Sequence, residues 1–462
     1  MIFTDFRYLM FLGMVFAAYW LARNKSVQNP ILLAASYVFY GFIHPWFCLL
    51  IATSTLVDYG CGLGMVRFAA RKRFFLILSL GCNLGLLGFF KYFNFFAENI
   101  HKLLCGVGFE PGPFTLEILL PVGISFYTFQ TMSYTIDVYR GKLPPRKNFI
   151  DFAVFVSFFP QLVAGPIERA TRLLPQVEAT RRWDWDKFLS AWPLLMAGYL
   201  KKMVIADNVA IYVDRVFMLR QPSLLLLACG TLAFAVQIYA DFSAYTDIAR
   251  GSARLLGFDL MENFRAPYLA ISPSDFWRRW HISFSSWIRD YLYIPLGGSR
   301  VEGQGRYALI LLITFGLSGL WHGAAWNFVA WGLYHAVLLF LYYRLGLAGR
   351  WRPTGRLATF IAWMCMFCLT MVGWTIFRAP SMEWLIHVFG RGFSLGLLGD
   401  SLIVSLVVLT SVAVYSAPLL VLVLADRLDG RRLVHSLVYS LAIVLLIGVS
   451  ADSGVDFIYF QF

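Results

Sequence analysis

Two histidines offer chemistry that the rest of this chain does not. His281 sits in FWRRWHISFSSWIRDYLYIPLGGSR (276–300), an amphipathic run rich in tryptophan and arginine. His322 sits in LSGLWHG (317–323), inside an apolar run long enough to cross a bilayer. The whole sequence holds only seven histidines. An ionisable side chain at membrane depth is costly and is by default a candidate for function. A neutral imidazole can take a proton from a hydroxyl while that oxygen attacks an acyl group, and burial favours the uncharged, basic form of such a ring. Gly323, Ala324 and Ala325, just after His322, are small and leave room beside the ring for a substrate. The alternatives are structural: for His322 a packing ring bonded to a backbone carbonyl, for His281 an interfacial ring among headgroups, beside Trp277, Trp280, Trp287, Arg278, Arg279 and Arg289. Zinc is disfavoured because the pair lacks a third ligand. His44, His101, His335, His387 and His435 stand singly and read as structural, although His335 shares the apolar run of His322.

The elements that must position these rings are membrane helices. Of the residues, 59% are hydrophobic and 14% charged, against about 25% charged in an ordinary soluble domain. Apolar runs of roughly 18 residues or more recur along the chain, and no polar block is long enough for a soluble domain. The net charge of +13 falls in clusters between apolar runs, the pattern of cytoplasmic loops. That distribution argues against nucleic acid as a partner. A basic cytosolic face also attracts anionic lipids, phosphates or an acidic protein. The start carries Asp5 and Arg7 and no basic stretch or small-residue cleavage site, so the first span is expected to be retained.

In order, spans are expected at residues 8–21, 30–42 and 46–66, with a turn at His44–Pro45. A basic loop follows (Arg67, Arg71, Lys72, Arg73), then a span over 74–90 and a polar, glycine-rich outer loop over 91–113. A span over 116–136 leads to Arg140, Lys142, Arg146 and Lys147. Residues 149–165 are apolar but join two basic loops, so they are expected to dip in and return. Spans follow at 188–212 and 224–248, and an interfacial segment at 276–293 with its tryptophans at headgroup depth. Residues 307–344 suffice for two spans, with His322 and Asn327 near the turn between them or within the membrane. Residues 357–377, 401–424 and 433–450 complete about a dozen crossings. Within 239–247, Tyr239, Asp241, Ser243, Tyr245 and Asp247 lie in or beside a span. Asp241 or Asp247 can pair with Arg250, facing a cavity or a partner, or the group forms a structural polar cluster at a helix end. Of the seven cysteines, Cys365 and Cys368 form a CxxC, but in an apolar helical context with no second pair to complete a zinc site.

No P-loop, dinucleotide fingerprint, HExxH or GxSxG occurs, which weakens ATPase, oxidoreductase, metalloprotease and serine hydrolase readings. The run 276–298 followed by GLWHG (319–323) resembles the membrane-bound O-acyltransferase family, in particular its bacterial branch of alginate O-acetylation and teichoic acid D-alanylation. Further matches are LLPVGISFYTFQTMSYTIDVYRG (119–141), FFPQLVAGPIER (158–169), GYLKKMVIADN (198–208), YADFSAYTDIARG (239–251), MENFRAPY (261–268), GWTIFRA (373–379) and the terminal FIYFQF. They run almost end to end.

The resemblance implies an all-α polytopic membrane protein: a ring of about 11–12 transmembrane helices, with re-entrant and interfacial helices, around a thinned core. It implies a single domain over 1–462, with N-terminal helices (1–113), a catalytic core (114–346) and C-terminal helices (347–462). His322 matches the family's membrane-embedded histidine and His281 the second histidine of the bacterial branch. Both are expected to be catalytic. Trp321, Asn327, Trp280, Arg278, Arg279, Asp241 and Tyr245 are expected to bind substrate. No metal or bound cofactor is expected. The donor would be a cytosolic acyl thioester, acetyl-CoA or an acyl carrier protein, met by the arginine clusters. YADFSAYTDIA and MENFRAPY favour acetyl over D-alanyl, passed to a periplasmic SGNH-type acetyltransferase or directly to a secreted exopolysaccharide. The location implied is the bacterial inner membrane, in contact with lipid. D-alanyl or other acyl transfer to an envelope polymer remains an alternative, as does a proton-coupled transporter using the histidines as a relay.

Overall fold

A computed structural model describes residues 3–112, 114–348, 352–390, 392, 394–427, 444, 446 and 448. The span expected over 433–450, apart from the last three of these positions, lies outside the described residues, as do Arg431, Arg432, His435 and the terminal FIYFQF. Every regular element among the described residues is helical. Five helices there are long and apolar enough to cross a membrane: Phe47–Arg67, the run Ala69–Gly106, Leu224–Leu255, Arg356–Arg378 and Asp400–Leu420. By packing, the chain forms two compact units, Met1–Ala191 with Ala249–Met261, and Trp192–Ile248 with Glu262–Phe462.

The first unit begins with α1 (Phe6–Leu21), α2 (Lys25–Gly41), α3 (Phe47–Arg67) and α4 (Lys72–Leu87). A π-helical turn at Gly88–Tyr92 joins α4 to α5 (Phe93–Gly106). The segment expected as an outer loop over 91–113 is therefore helical as far as Gly106. Phe96, Ile100 and Leu103 recur at helical spacing on its exposed face, and helix breakers begin only at Gly106. Conversely, the span expected from 116 starts as helix only at α6 (Ile124–Tyr139). Pro121 removes a backbone donor, and Gly123 turns the chain at φ 78° with no room for a Cβ, which would meet the Leu162 carbonyl oxygen at 2.5 Å. α7 (Phe149–Ser157) and α8 (Phe159–Leu162) follow. Neither is long enough to span a hydrocarbon layer about 30 Å thick. Residues 151–167 are buried, which is the condition for irregular backbone at membrane depth. α9 (Ala170–Glu178) completes this part. Asp58 on α3 accepts bonds from Asn83 Nδ2 on α4 at 2.8 and 3.0 Å, and Thr131 of α6 donates to Asn83 Oδ1 at 3.3 Å. Such bonds join helices where lipid removes the hydrophobic drive between them.

The helices that carry the candidate residues follow. They are α10 (Trp185–Tyr199), a π-helical stretch Leu200–Ala206, α11 (Asp207–Phe217), α12 (Leu224–Leu255), α13 (Pro273–Arg279), α14 (Ile282–Ile288), α15 (Gln304–His322), α16 (Trp326–Arg344), α17 (Arg356–Arg378), α18 (Met382–Gly390) and α19 (Asp400–Arg427). α15 and α16 form a hairpin drawn together at two glycines. A Cβ on Gly319 would meet the Phe328 oxygen at 2.1 Å, and one on Gly332 the Phe315 oxygen at 2.0 Å. Small residues that let backbones touch are a common way to hold helices in a membrane.

The segment 276–293 is not the single surface run expected. Ser272 caps α13 by accepting the Asp275 N–H, with Pro273 in its first turn. The chain then breaks at Trp280–His281, where His281 adopts φ 43°. Trp280 has no exposed surface and packs 4.8 Å from Trp374, and Trp287 is also buried. Two of the three tryptophans expected at headgroup depth are thus protein core. Cys365 and Cys368 are exposed on α17, and no cluster of metal-ligating side chains occurs among the described residues.

Candidate active site

The site is built on the last residue of α15. His322 is 2% exposed and walled by rings. Trp331 of α16 stands at 5.0 Å, Trp321 at 5.1 Å, Phe284 of α14 at 5.4 Å and Phe377 of α17 at 5.6 Å, all between centroids. The helix ends there because Gly323 takes an extended conformation. The room expected beside the ring at Gly323 is already filled. A Cβ on Gly323 would lie 2.2 Å from the Phe328 ring, so the absent methyl admits that phenyl group.

His281 shares two of these rings. Phe284 stacks on it at 5.0 Å, Trp321 lies at 6.0 Å, and Phe242 of α12 meets it edge-on at 4.6 Å. Phe284 and Trp321 stack on each other at 4.2 Å. The two imidazoles, far apart in sequence, thus border one aromatic pair. His281 has no exposed surface, and that burial holds its pKa well below the usual imidazole range, so the ring is neutral. Two backbone bonds fix its place: Ile282 N–H donates to the Asn263 oxygen at 2.9 Å and Arg265 N–H to the Arg279 oxygen at 3.0 Å. Asn263, buried at the centre of this bracket, reaches His281 Nδ1 with its Oδ1 at 3.4 Å.

A cavity of about 560 Å³ reaches this cluster. Its wall includes Phe284, Thr314 and Ser318, the last one turn before His322, and it also includes Arg278 and Arg289. Arg278 further borders a second cavity, of about 810 Å³, with Arg279 and Arg352. A cavity with cationic groups on its wall, separated from two buried imidazoles by the Phe284 ring, can bring the reactive end of an anionic carrier close to a base.

The other residues expected at the site take varied places. Trp321 touches both imidazoles. Trp280 stacks on Phe276 and packs at a tilt against Trp374 behind them. Asn327 donates its amide to the carbonyls of Phe377 and Ala379, at 3.3 and 3.1 Å, and so ties α16 to the end of α17. Arg278 and Arg279 both face Asp275, at 3.7 and 3.1 Å, and remain partly exposed. Asp241 pairs with Lys202 at 3.0 Å, and Asp247 with Lys201. Proximity in sequence points to Arg250 and not to these lysines, although KK within an apolar run is itself a signal. Lys202 also pairs with Asp207 at 2.7 Å and lies 5.7 Å from the centre of the buried Tyr245 ring. His335 is buried against Phe276, Trp277 and Trp331 at 5.9, 5.1 and 4.9 Å, so Trp331 touches both His335 and His322. Asn263 and Phe284 had no distinguishing pattern in the sequence.

The sequence profile of the membrane-bound O-acyltransferase family matches residues 143–377. A protein of Pseudomonas putida described as a probable alginate O-acetylase is 37% identical, with both chains covered in full. The Helicobacter pylori peptidoglycan O-acetyltransferase is 35% identical over 82% of this chain and 76% of its own. The Bacillus subtilis teichoic acid D-alanyltransferase is 28% identical over 55% of this chain and 68% of its own. The chain belongs to the membrane-bound O-acyltransferase family and is an O-acyltransferase.

Proposed function

We propose that this enzyme transfers acetyl groups from a cytosolic thioester across the bacterial inner membrane, for O-acetylation of a secreted or envelope polysaccharide. The observation that carries the reading is that the cavity lined by Arg278 and Arg289 is also walled by Phe284, whose ring centre lies 5.4 Å from that of His322. The relatives acting on alginate and peptidoglycan support acetyl as the group and a polysaccharide hydroxyl as its final acceptor. The donor is acetyl-CoA or an acetylated carrier protein, whose phosphates suit the arginines. The acceptor is the polymer itself or an SGNH-type acetyltransferase on the far side.

In this mechanism neutral His322 takes the proton from the acceptor hydroxyl as its oxygen attacks the thioester carbonyl. The tetrahedral adduct expels the thiolate, which takes the proton from the imidazolium. The new bond is the ester C–O, and the bond broken is the thioester C–S. The surrounding rings exclude water, which limits hydrolysis of the thioester. His281, neutral and bordering the same aromatic pair, positions the donor or passes a proton.

His322→Ala is expected to lower acetyl transfer by at least about 100-fold at equal membrane abundance. Purified enzyme supplied with radiolabelled acetyl-CoA, an acetylated carrier or a D-alanylated carrier would identify the donor. Undiminished polymer acetylation in the variant would overturn the assignment.

A further inference from the structure

The bonds around Asn263 determine which nitrogen of His281 carries its proton. The backbone N–H of Ser283 points at Asn263 Oδ1 at 3.2 Å, and a backbone N–H can only donate. The Ser283 hydroxyl donates to the same oxygen at 2.6 Å. The other face of the amide agrees: Nδ2 donates to Thr246 Oγ1 at 3.2 Å. The atom facing His281 Nδ1 at 3.4 Å is therefore the amide oxygen. An amide oxygen has lone pairs and no hydrogen, so this contact is attractive only if Nδ1 bears the proton. Asn263, Ser283 and His281 are all fully buried and Thr246 is 2% exposed, so bulk water does not compete for these bonds.

We propose that Asn263 is a positioning residue that holds His281 as its Nδ1–H tautomer and so leaves the proton-accepting lone pair on Nε2. The neutral ring then presents a base, not a donor, at its far edge. The inference rests on the reading that His281 takes part in the transfer, because only then does the tautomer matter to turnover. Thr246 and Ser283 act through Asn263: one fixes the direction of its amide and the other engages its oxygen. The left-handed backbone at His281, φ 43° and ψ 55°, places the ring beside Asn263 while its carbonyl accepts the Ser285 N–H at 2.9 Å. A strained conformation at a side chain held on several sides is typical of functional positions.

The test is solid-state NMR of the full-length protein in lipid bilayers, labelled with 13C and 15N at histidine. Seven histidines give a tractable spectrum, and His281→Gln identifies the signals of His281 by their loss. The expected spectrum has Nδ1 protonated and Nε2 unprotonated in the unmodified protein. Asn263→Asp, which keeps an acceptor facing Nδ1, should retain a protonated Nδ1, and Asn263→Leu should lose that preference. An Nε2–H tautomer in the unmodified protein overturns the proposal without recourse to any variant. So does an unchanged Nδ1–H signature in folded Asn263→Leu. Full acetyl transfer by His281→Gln would instead end the functional reading of His281 and leave the tautomer assignment standing.

Discussion

A lysine ammonium buried inside a membrane protein is stabilised by carboxylates placed around it. Lys202 is 1% exposed and has Asp207 and Asp241 at 2.7 and 3.0 Å. Removing one partner of a buried ion pair costs more than the pair contributes, because the remaining charge has nowhere to go. Lys202→Met is thus expected to destabilise the protein by about 3–5 kcal/mol, read as a fall in unfolding temperature in detergent. Adding Asp207→Asn and Asp241→Asn should recover part of the loss, and an unchanged unfolding temperature for the single variant would refute the account. Residues of this kind differ in how well the sequence displays them. His281 and His322 stand out because imidazoles are rare here and lie in a tryptophan-rich run and an apolar one. Asn263 does not, since an asparagine in MENF has no periodic signal. Its role exists only once residues 263–265 are bracketed against 279–282. Gly323 is visible in the sequence, but smallness there does not say what fills the space: it is the Phe328 ring and not a substrate.

Between α15 and α16 the decisive contact is glycine against backbone. Phe315 and Gly319 face Phe328 and Gly332 so closely that a single Cβ would have to displace a carbonyl oxygen. Gly332→Leu should force the hairpin apart, displace His322 three residues after Gly319, and cost both stability and transfer activity. Overpacking of a close interface is worth about 1–3 kcal/mol or more. Gly305→Ala, in the first turn of α15 with nothing within 4 Å, is the control and should be neutral or slightly stabilising. Equal unfolding temperatures for the two variants would show that the close approach does not hold the hairpin. At this scale apolar runs were legible, and most helices lie where hydropathy puts them. Their ends were not. The helix through 93–106 was hidden by its polar residues, and Pro121 with Gly123 delayed α6 by a turn-forming geometry that hydropathy ignores. The break inside 276–293 was illegible for a related reason: no proline or glycine marks it, only a histidine in a left-handed conformation.

Over the molecule as a whole, charge is segregated along the chain, and each unit shows it locally. In the first, the Lys72 ammonium lies 5.1 Å from the Tyr139 ring centre and Tyr59 donates to the Lys147 carbonyl, so the loops at 67–73 and 140–147 share one end of the α3, α4 and α6 group. In the second, the Tyr307 and Tyr343 rings meet at a tilt, 4.5 Å between centres, which puts the arginines at 306 and 344 at one end of the hairpin. Basic loops stay on the cytoplasmic side during insertion because Lys and Arg near span ends resist translocation. A thioester donor, made in the cytosol, would meet these ends first. Single cysteines at Arg73, Arg140 and Arg306, in a background lacking the seven native ones, should react with a membrane-impermeant maleimide only in inside-out vesicles. A cysteine at Glu110, beyond the far end of the apolar run Ala69–Gly106, should react only in right-side-out vesicles. Labelling of positions 73 and 110 from the same face would mean that this run turns back within the bilayer. Labelling of position 306 from outside would leave the arginine-lined cavity out of reach of a cytosolic donor, and acetyl transfer from such a donor would then need another entrance.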